Sequence, residues 1–148
     1  MPDKKFHTFK EDMDKPLTAS MEDYIEMVYR LSKDSGYTRI NDLSKSLNIK
    51  PSSATKMIQK LSDMDYLKYQ KYGVIVLKSK GYNLGENLLN RHNTVEEFLK
   101  LLKVKDENIL YETEKIEHTI SDDTLKCIKS FLELIKKDEI LYNKFINK

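Results

Sequence analysis

Residues 51–63 read Pro-Ser-Ser-Ala-Thr-Lys-Met-Ile-Gln-Lys-Leu-Ser-Asp, and this stretch decides the fold. Proline is tolerated in the first turn of a helix, so the pattern predicts a helix from about Pro51 to Asp63. The apolar side chains recur at helical spacing and define one inner face, made up of Ala54, Met57, Ile58 and Leu61. The opposite face is polar and basic, with small hydroxyl side chains in its first turn. Such a face is typical of a helix that lies in a DNA groove.

The segments on either side of this helix complete a DNA-binding motif. Ile40 and Leu43 predict a short helix that stops near Asn48, and two short helices joined by a tight turn are typical of a helix-turn-helix. After the second helix, residues 67–77 read Leu-Lys-Tyr-Gln-Lys-Tyr-Gly-Val-Ile-Val-Leu. Aromatic and β-branched residues around a glycine favour a two-stranded wing. We therefore predict a winged helix-turn-helix DNA-binding domain over residues 17–78.

The predicted DNA surface is basic, because residues 39–80 carry nine Lys or Arg and three Asp, a net charge of +6. Positive charge at this density can bind phosphate. The side chains that we expect to approach base edges are Ser52, Ser53, Thr55 and Lys56. Gln59 shares their outward face and is also a predicted DNA contact. The side chains that we expect to bind mainly phosphate are Arg39, Lys60, Lys71 and Tyr72.

Another helix is predicted before the DNA-binding motif. Ser20 is its expected N-cap, with Asp23 three residues further on, and apolar residues recur at helical spacing from Met21. Asp23 and Glu26 lie off this apolar stripe. Residues 1–16 are charged and lack periodicity, so we predict that they form a mobile N-terminal arm.

After the wing the pattern is entirely helical. A long helix contains His92, and Asp106 and Ser121 are the expected N-caps of two further helices. Residues 92–125 carry nine acidic residues and four Lys, a net charge of −5, so this part of the chain can attract cations. The predicted fold is mainly α with a small β wing: the winged helix is followed by an all-helical metal-binding and dimerisation domain over residues 79–148.

Six side chains with metal-binding chemistry stand out in these helices. They are Asp23, Glu26, His92, Glu114, Glu117 and His118. The first two are three positions apart on one helix, and the last three share a face of another, because positions i, i+3 and i+4 converge. Four carboxylates match the charge of two divalent cations. Each residue alone has a plainer explanation as a helix cap, a solvated charge or a core histidine, and their combination favours a metal site. The remaining histidine, His7, lies in the arm without such neighbours.

The ligand types narrow the choice of metal. Carboxylates and imidazoles without a thiolate suit Mn²⁺, Fe²⁺, Co²⁺ or Zn²⁺, and hard oxygen ligands suit manganese in particular. Raw affinity does not favour manganese, so selectivity must come from coordination number and geometry. Cys127 is the single cysteine of the chain, which excludes an internal disulfide and a multi-cysteine zinc site.

Several segments together carry a resemblance to a known family. They are Ser20-Met-Glu-Asp-Tyr-Ile-Glu26, Pro51-Ser-Ser-Ala-Thr-Lys-Met57, Gln59-Lys-Leu61, Tyr69-x-x-Tyr72, Arg91-His92 and Ile116-Glu-His-x-x-Ser121. In these segments, which span about residues 17–131, the chain resembles the diphtheria-toxin-repressor family of metal-dependent transcriptional regulators. Within that family it is similar to the manganese transport regulators.

The resemblance implies a manganese-dependent, homodimeric DNA-binding repressor of metal-uptake genes. The six candidate ligands fall on the family's metal-binding positions, which implies two Mn²⁺ ions per subunit. Metal would clamp the DNA-binding domains into a dimer that fits a double-stranded, palindromic operator. Iron-responsive relatives carry methionine where this chain has Asp23 and cysteine where it has Glu114, so both carboxylates favour manganese.

Three alternatives remain open at this point. An iron-responsive or broadly metal-responsive regulator of the same family would use the same fold. A winged-helix regulator that answers to something other than metal would use the acidic patch to bind protein. A helical di-metal enzyme would need a pair of Glu-x-x-His motifs, which this sequence lacks, so we expect no enzyme and no small organic substrate.

Length and composition add two expectations. Two small domains in 148 residues would have thin cores, and such domains gain stability from oligomerisation, so we expect a dimer. The chain has no long apolar run of the kind that a signal peptide or membrane helix requires. We therefore expect a cytoplasmic protein.

Overall fold

The computed structural model describes residues 16–147, so the predictions for the arm and for His7 lie outside the described residues, apart from Pro16. The elements are α1 (Ala19–Ser32), β1 (Thr38–Arg39), α2 (Ile40–Ser46), α3 (Pro51–Asp63), β2 (Leu67–Tyr69), β3 (Val74–Leu77), α4 (Ser79–Leu101), α5 (Asp106–Glu117), α6 (Asp122–Lys137) and α7 (Glu139–Ile146). The predicted fold class, mainly α with a small β wing, is confirmed.

The elements from α1 to β3 enclose one hydrophobic core. The core side chains with no solvent exposure include Ile25, Val28, Leu43, Ala54, Ile58, Leu61, Leu67 and Ile75. Fully burying one large aliphatic side chain contributes roughly 1.5–3 kcal/mol, so this cluster accounts for the docking of α3 against α1 and the sheet. The helix predicted over residues 51–63 is α3, with the predicted inner face turned inward, although Met57 is only half-buried.

The wing is a three-stranded antiparallel sheet in the order β1-β3-β2. The predicted hairpin corresponds to β2 and β3, whereas β1 was not predicted because two residues are too few for a periodic pattern. A 3₁₀ turn, Lys71–Gly73, joins β2 to β3. Tyr72 sits in this turn with a left-handed φ of 63° and is 90% exposed.

Two of the predicted helix caps were wrong. The N-cap of α1 is Thr18, whose hydroxyl accepts a hydrogen bond from the Met21 backbone N–H at 3.3 Å. A cap at Thr18 rather than at Ser20 lets Leu17, the preceding residue, pack into the core. The N-cap of α5 is Lys105, and Asp106 is its first helical residue, where a negative charge still favours a helix N-terminus.

The cap predicted for α6 is present, and a further short helix follows α6. The hydroxyl of Ser121 accepts a hydrogen bond from the Thr124 backbone N–H at 3.2 Å. Beyond α6 the chain breaks at Asp138 and forms the separate helix α7. Among residues 16–147, none of the helices has the length and the apolar content needed to cross a membrane.

Glycines let α4 approach the DNA-binding half very closely. A Cβ atom at Gly85 would lie 2.5 Å from Cβ of Tyr29 on α1, and one at Gly81 would lie 2.0 Å from the carbonyl oxygen of Tyr66. Neither position has room for a larger residue. Helix α4 also packs against α5 and α6, so this helix connects the two halves of the molecule.

We expect Gly85→Ala to destabilise the protein, because its methyl group would push α4 away from Tyr29. Overpacking of this kind typically costs about 1–3 kcal/mol, and urea unfolding followed by circular dichroism measures it. Asn83→Ala, on an exposed position of the same helix, is the control and should leave the unfolding free energy within about 0.5 kcal/mol. Equal stability of Gly85→Ala and wild type would contradict the close packing of α1 and α4.

Candidate metal centre

Three helices bring the six predicted ligands together. One ligand atom from each member of a group lies within 4.8 Å of the others in two groups: the first is Asp23, Glu114, Glu117 and His118, and the second is Glu26, His92 and Glu117. Glu117 belongs to both groups. Helix α1 supplies two of these residues, α4 one and α5 two, and His118 is the C-cap residue of α5.

The first group connects α5 to α1. Nε2 of His118 lies 2.7 Å from Oδ1 of Asp23 and 3.6 Å from Oε1 of Glu117. Nδ1 of the same ring faces the carboxylate of Glu22 at 3.8 Å. Hydrogen bonding to Asp23, and then to Glu22, raises the pKa of His118 to about 10. The imidazolium therefore holds a positive charge beside the carboxylates, and a metal ion that binds Nε2 must displace a proton.

The second group connects α4 to α5. Nδ1 of His92 lies 3.1 Å from Oε2 of Glu117 and 3.4 Å from Oε1 of Glu114. Its other ring nitrogen, Nε2, lies 3.5 Å from a carboxylate oxygen of Glu96. Nδ1 is therefore the nitrogen that faces the centre. The hydrogen bond to Glu117 raises the pKa of His92, although burial opposes this shift.

Two carboxylates of the centre are withdrawn from water. The exposed fraction is 7% for Glu26 and 2% for Glu117. Burial raises the pKa of Glu26, against the opposing charge of Arg30, which donates to its Oε2 at 2.9 Å. Burial also raises the pKa of Glu117, against the opposing hydrogen bond to His92. Ionising these groups is therefore unfavourable unless a positive charge lies close by.

The residues of the centre fit a divalent cation. Oε1 of Glu117 is buried, and no donor within residues 16–147 makes a hydrogen bond to it. A buried carboxylate oxygen without a donor is costly, and a metal ion would satisfy it. The remaining donors are carboxylate oxygens and imidazole nitrogens with no thiolate, the ligand set preferred by manganese and similar ions.

Four further charged residues surround the centre and were not predicted. Arg30 and Glu96 each follow a ligand by four positions, so the i, i+4 rule for helix neighbours could have found them. Glu22 and Arg91 immediately precede ligands in the sequence. No spacing rule places such residues, because their contacts depend on where α5 ends relative to α1 and α4.

The predicted DNA contacts lie on the surface of α3 and the wing. The exposed ones are Arg39, Ser52, Ser53, Lys56, Gln59, Lys60, Lys71 and Tyr72, and Thr55 is half-buried. Two of them are engaged within α3: the Thr55 hydroxyl donates to the Pro51 carbonyl at 2.9 Å, and the Gln59 amide donates to Asp63 at 3.1 Å. Arg39 donates to the carbonyl of Tyr72 at 3.4 Å, so β1 and the wing tip meet. The roles of these residues toward DNA stay predictions.

Sequence profiles of one family match most of the chain. The profile described as "Iron dependent repressor, N-terminal DNA binding domain" matches residues 16–75, and "Iron dependent repressor, metal binding and dimerisation domain" matches residues 78–140. A winged helix joined to helices that carry an acid-and-histidine centre defines a class of proteins, the metal-dependent DNA-binding regulators. Within that class the chain belongs to the iron-dependent repressor family, which is the diphtheria-toxin-repressor family that the sequence resembles.

Individual relatives agree with the family. The HTH-type transcriptional regulator MntR of Geobacillus thermodenitrificans is 43% identical over 122 residues, which are 82% of this chain and 86% of that protein. MntR of Oceanobacillus iheyensis is 45% identical over 82% of this chain and 83% of its own. The solved structure of the manganese regulator SloR matches with a TM-score of 0.68 and 27% identity, over 79% of this chain and 55% of the SloR chain. These relatives are transcriptional regulators by name, which confirms that the chain is not an enzyme.

Folding raises the pKa of Glu117. We therefore expect the contribution of this residue to the stability of the metal-free protein to fall as the pH rises above about 4.5. Below the unfolded pKa the group is protonated in both states. Above it the unfolded state ionises freely, whereas the folded state must either keep the proton or bury a charge. Glu117→Gln removes this ionisable group. The unfolding free energy of the variant should therefore increase relative to that of wild type as the pH rises from 4.5 to 7.5.

Urea unfolding in the presence of a chelator measures this difference. Glu133→Gln, an exposed position on α6, is the control and should keep a constant difference from wild type over the same range. A constant difference for Glu117→Gln as well would show that Glu117 is not destabilised by its burial.

Proposed function

We propose that this chain is a manganese-dependent, homodimeric DNA-binding repressor that controls metal-uptake genes. The observation that carries the proposal is the origin of the ligands: Asp23 and Glu26 belong to the helix that starts the DNA-binding half, whereas the other four belong to α4 and the end of α5. One ion bound among them connects both halves. As a repressor of transcription the protein would act in the cytoplasm.

Two Mn²⁺ ions per subunit would share the centre. Asp23, Glu114, Glu117 and His118 would hold one, and Glu26, His92 and Glu117 the other, so that Glu117 would contribute a ligand atom to both groups. Glu114 also approaches His92, at 3.4 Å, so its two oxygens can serve both positions. Four carboxylates balance the charge of two divalent ions, which supports a pair of ions rather than one.

The switch would work through α1. Its apolar stripe, including Ile25 and Val28, packs in the same core as α3, and its acidic flank faces α5. Without metal, the carboxylates repel one another and oppose the closure of α1 onto α5. With metal bound, each carboxylate would be attracted to the ion, and α1 would be held against α5. The recognition helix would then be fixed relative to the helical half.

Operator binding would select this fixed arrangement in the dimer. Half-sites in adjacent major grooves lie about 34–36 Å apart, so a dimer whose two α3 helices keep that separation binds a palindromic operator without further ordering. Metal and DNA then favour the same state and bind with positive coupling, typically ~1–3 kcal/mol. The DNA-binding half would comprise residues 17–78, and the metal-binding and dimerisation half residues 79–148.

Dimerisation would use an apolar surface on α5 and α6. Its most exposed members are Leu110 and Leu134, at 64% and 67%, and Tyr111 and Phe131 lie on the same two helices. A second copy of the chain is the occupant that we propose, because the family description of residues 78–140 names dimerisation. By contrast, the exposed large apolar residues in the described part of the DNA-binding half are two tyrosines, Tyr37 and Tyr72.

On the DNA side, α3 would read sequence and the wing would hold the backbone. Ser52, Ser53, Thr55 and Lys56 would approach base edges, together with Gln59. The phosphate contacts would come from Arg39, Lys60, Lys71 and Tyr72.

Iron is the alternative effector, since the matching family profiles carry iron in their description. Fe²⁺, Co²⁺ and Zn²⁺ can all use carboxylate and imidazole ligands. Two features favour manganese: the hard carboxylates of Asp23 and Glu114, and the similarity to the manganese regulator SloR.

We expect Mn²⁺ to raise operator affinity at least tenfold over chelated protein, and Asp23→Met to let Fe²⁺ activate binding about as well as Mn²⁺. Glu114→Ala should lose more of the metal-dependent increase in operator affinity, because it removes a charge close to both ion positions. The operator duplex is first selected from random DNA by its binding to the Mn²⁺-loaded protein. Its affinity is then measured by fluorescence anisotropy under anaerobic conditions, with each metal buffered separately. Equal operator binding by wild type with chelator present would disprove the manganese switch.

We expect Leu134→Glu to convert the dimer to a monomer at micromolar concentration, because it places a charge in the apolar surface of α6. Sedimentation velocity measures the change. Lys129→Glu, an exposed position on another face of α6, is the control and should remain dimeric. If the Leu134→Glu protein is still a dimer, the interface lies elsewhere.

A further inference from the structure

The guanidinium of Arg91 is buried where α5 ends, and it has four hydrogen bonds. Nε and Nη2 donate to the carbonyl oxygen of Glu117 at 3.2 and 2.8 Å. Nη2 also donates to the carbonyl of Ile120 at 2.6 Å, and Nη1 to Oδ1 of Asp122 at 2.8 Å. Arg91 is 8% exposed. A charged side chain is almost never buried so deeply without such partners.

These hydrogen bonds satisfy backbone carbonyl groups where α5 ends. The last carbonyl groups of a helix have no partner within the helix, and α5 ends at Glu117 without a glycine cap. Arg91 donates to one of these carbonyls, that of Glu117, and to the carbonyl of Ile120 in the loop that follows α5. A positive charge near a helix C-terminus is favourable in its own right.

The position of Arg91 in the sequence connects this cap to the metal centre. Its neighbour His92 bonds the carboxylate of Glu117 at 3.1 Å, while Arg91 bonds the carbonyl of the same residue. Two consecutive residues of α4 therefore hold Glu117 by its side chain and by its backbone. Glu117 is the ligand that belongs to both groups of the centre, so its placement affects both ion positions.

We infer that Arg91 is a positioning residue for the metal centre, which fixes the backbone of Glu117 so that its carboxylate can lie between two ions. The inference rests on the proposed metal-binding function. Arg91 itself touches no ion and acts through Glu117 and the adjacent His118. Only arginine fits this role, because its planar fork offers several donors in fixed directions, whereas lysine has a single flexible ammonium group.

The test measures Mn²⁺ binding directly, without DNA. Free Mn²⁺ is followed by electron paramagnetic resonance as the metal-free, full-length protein is titrated with Mn²⁺ alone, which gives the number of ions and their affinities. We expect Arg91→Lys and Arg91→Met to weaken binding about 10–100-fold, the usual effect of losing a residue that orients a ligand. Both ions should be affected, because Glu117 belongs to both groups of the centre.

Two control variants separate positioning from general destabilisation. Ser121→Ala removes the N-cap of α6, which lies close to the hydrogen bonds of Arg91, and leaves Arg91 intact. Asp122→Asn weakens the outermost bond of Arg91, at a residue whose side chain is 80% exposed, and leaves both bonds to Glu117. Both variants should bind two ions with affinities within about twofold of wild type, even where urea unfolding shows a loss of stability.

The outcomes are distinct. Wild type that fails to bind Mn²⁺ would overturn the proposed function itself. Wild-type binding together with unchanged affinity and stoichiometry in Arg91→Lys would overturn the positioning role alone. If Arg91→Met does not fold, Arg91→Lys decides, because it keeps the charge and most of the apolar stem. A loss of affinity in Ser121→Ala equal to that in Arg91→Lys would also count against the inference, since it would trace the effect to stability.

Discussion

Negative charge buried between α1, α4 and α5 is the constraint on which the rest of the structure depends. The ligand atoms of each group lie within 4.8 Å of one another, and like charges about 5 Å apart repel by roughly 3 kcal/mol at an effective dielectric constant of about 20. Glu26 and Glu117 are nearly inaccessible to water, so this repulsion must be offset inside the protein. Arg30, His92 and the imidazolium of His118 offset part of it in the metal-free state. In the proposed switch a divalent ion would do so more completely, and this difference would make the closure of α1 onto α5 responsive to metal.

In the proposed switch, the close contact between α1 and α4 would carry such a local response to the DNA surface. The two glycines of α4 bring that helix against Tyr29 and the backbone of Tyr66, so a shift of α1 cannot be absorbed by a soft side-chain layer. Close-packed interiors transmit strain rather than deform freely. Since α1 also shares its core with α3, the proposed switch would reach the recognition helix through this shared core.

Much of this arrangement could be predicted from the sequence, because the period of a helix is a local property. Spacing along the chain located α3 and placed Glu114, Glu117 and His118 on one face. Features that depend on distant contacts could not be predicted: β1 exists only by pairing with β3, and the cap at Thr18 goes together with the burial of Leu17 in a core built from distant residues. The hydrogen bonds from Arg91 to the end of α5 likewise depend on how α4 and α5 pack against each other.

The hydrogen bond between Asp23 and His118 joins residues 95 positions apart in the chain. Contacts of such long range form late in folding, because the entropy of closing the loop must be overcome before they contribute. Before that point the ligands stand on separate helices as small acidic sets with little affinity for any ion. If these residues bind metal as proposed, the complete centre would be available only to the finished fold, and a chain still folding would offer an ion only part of it.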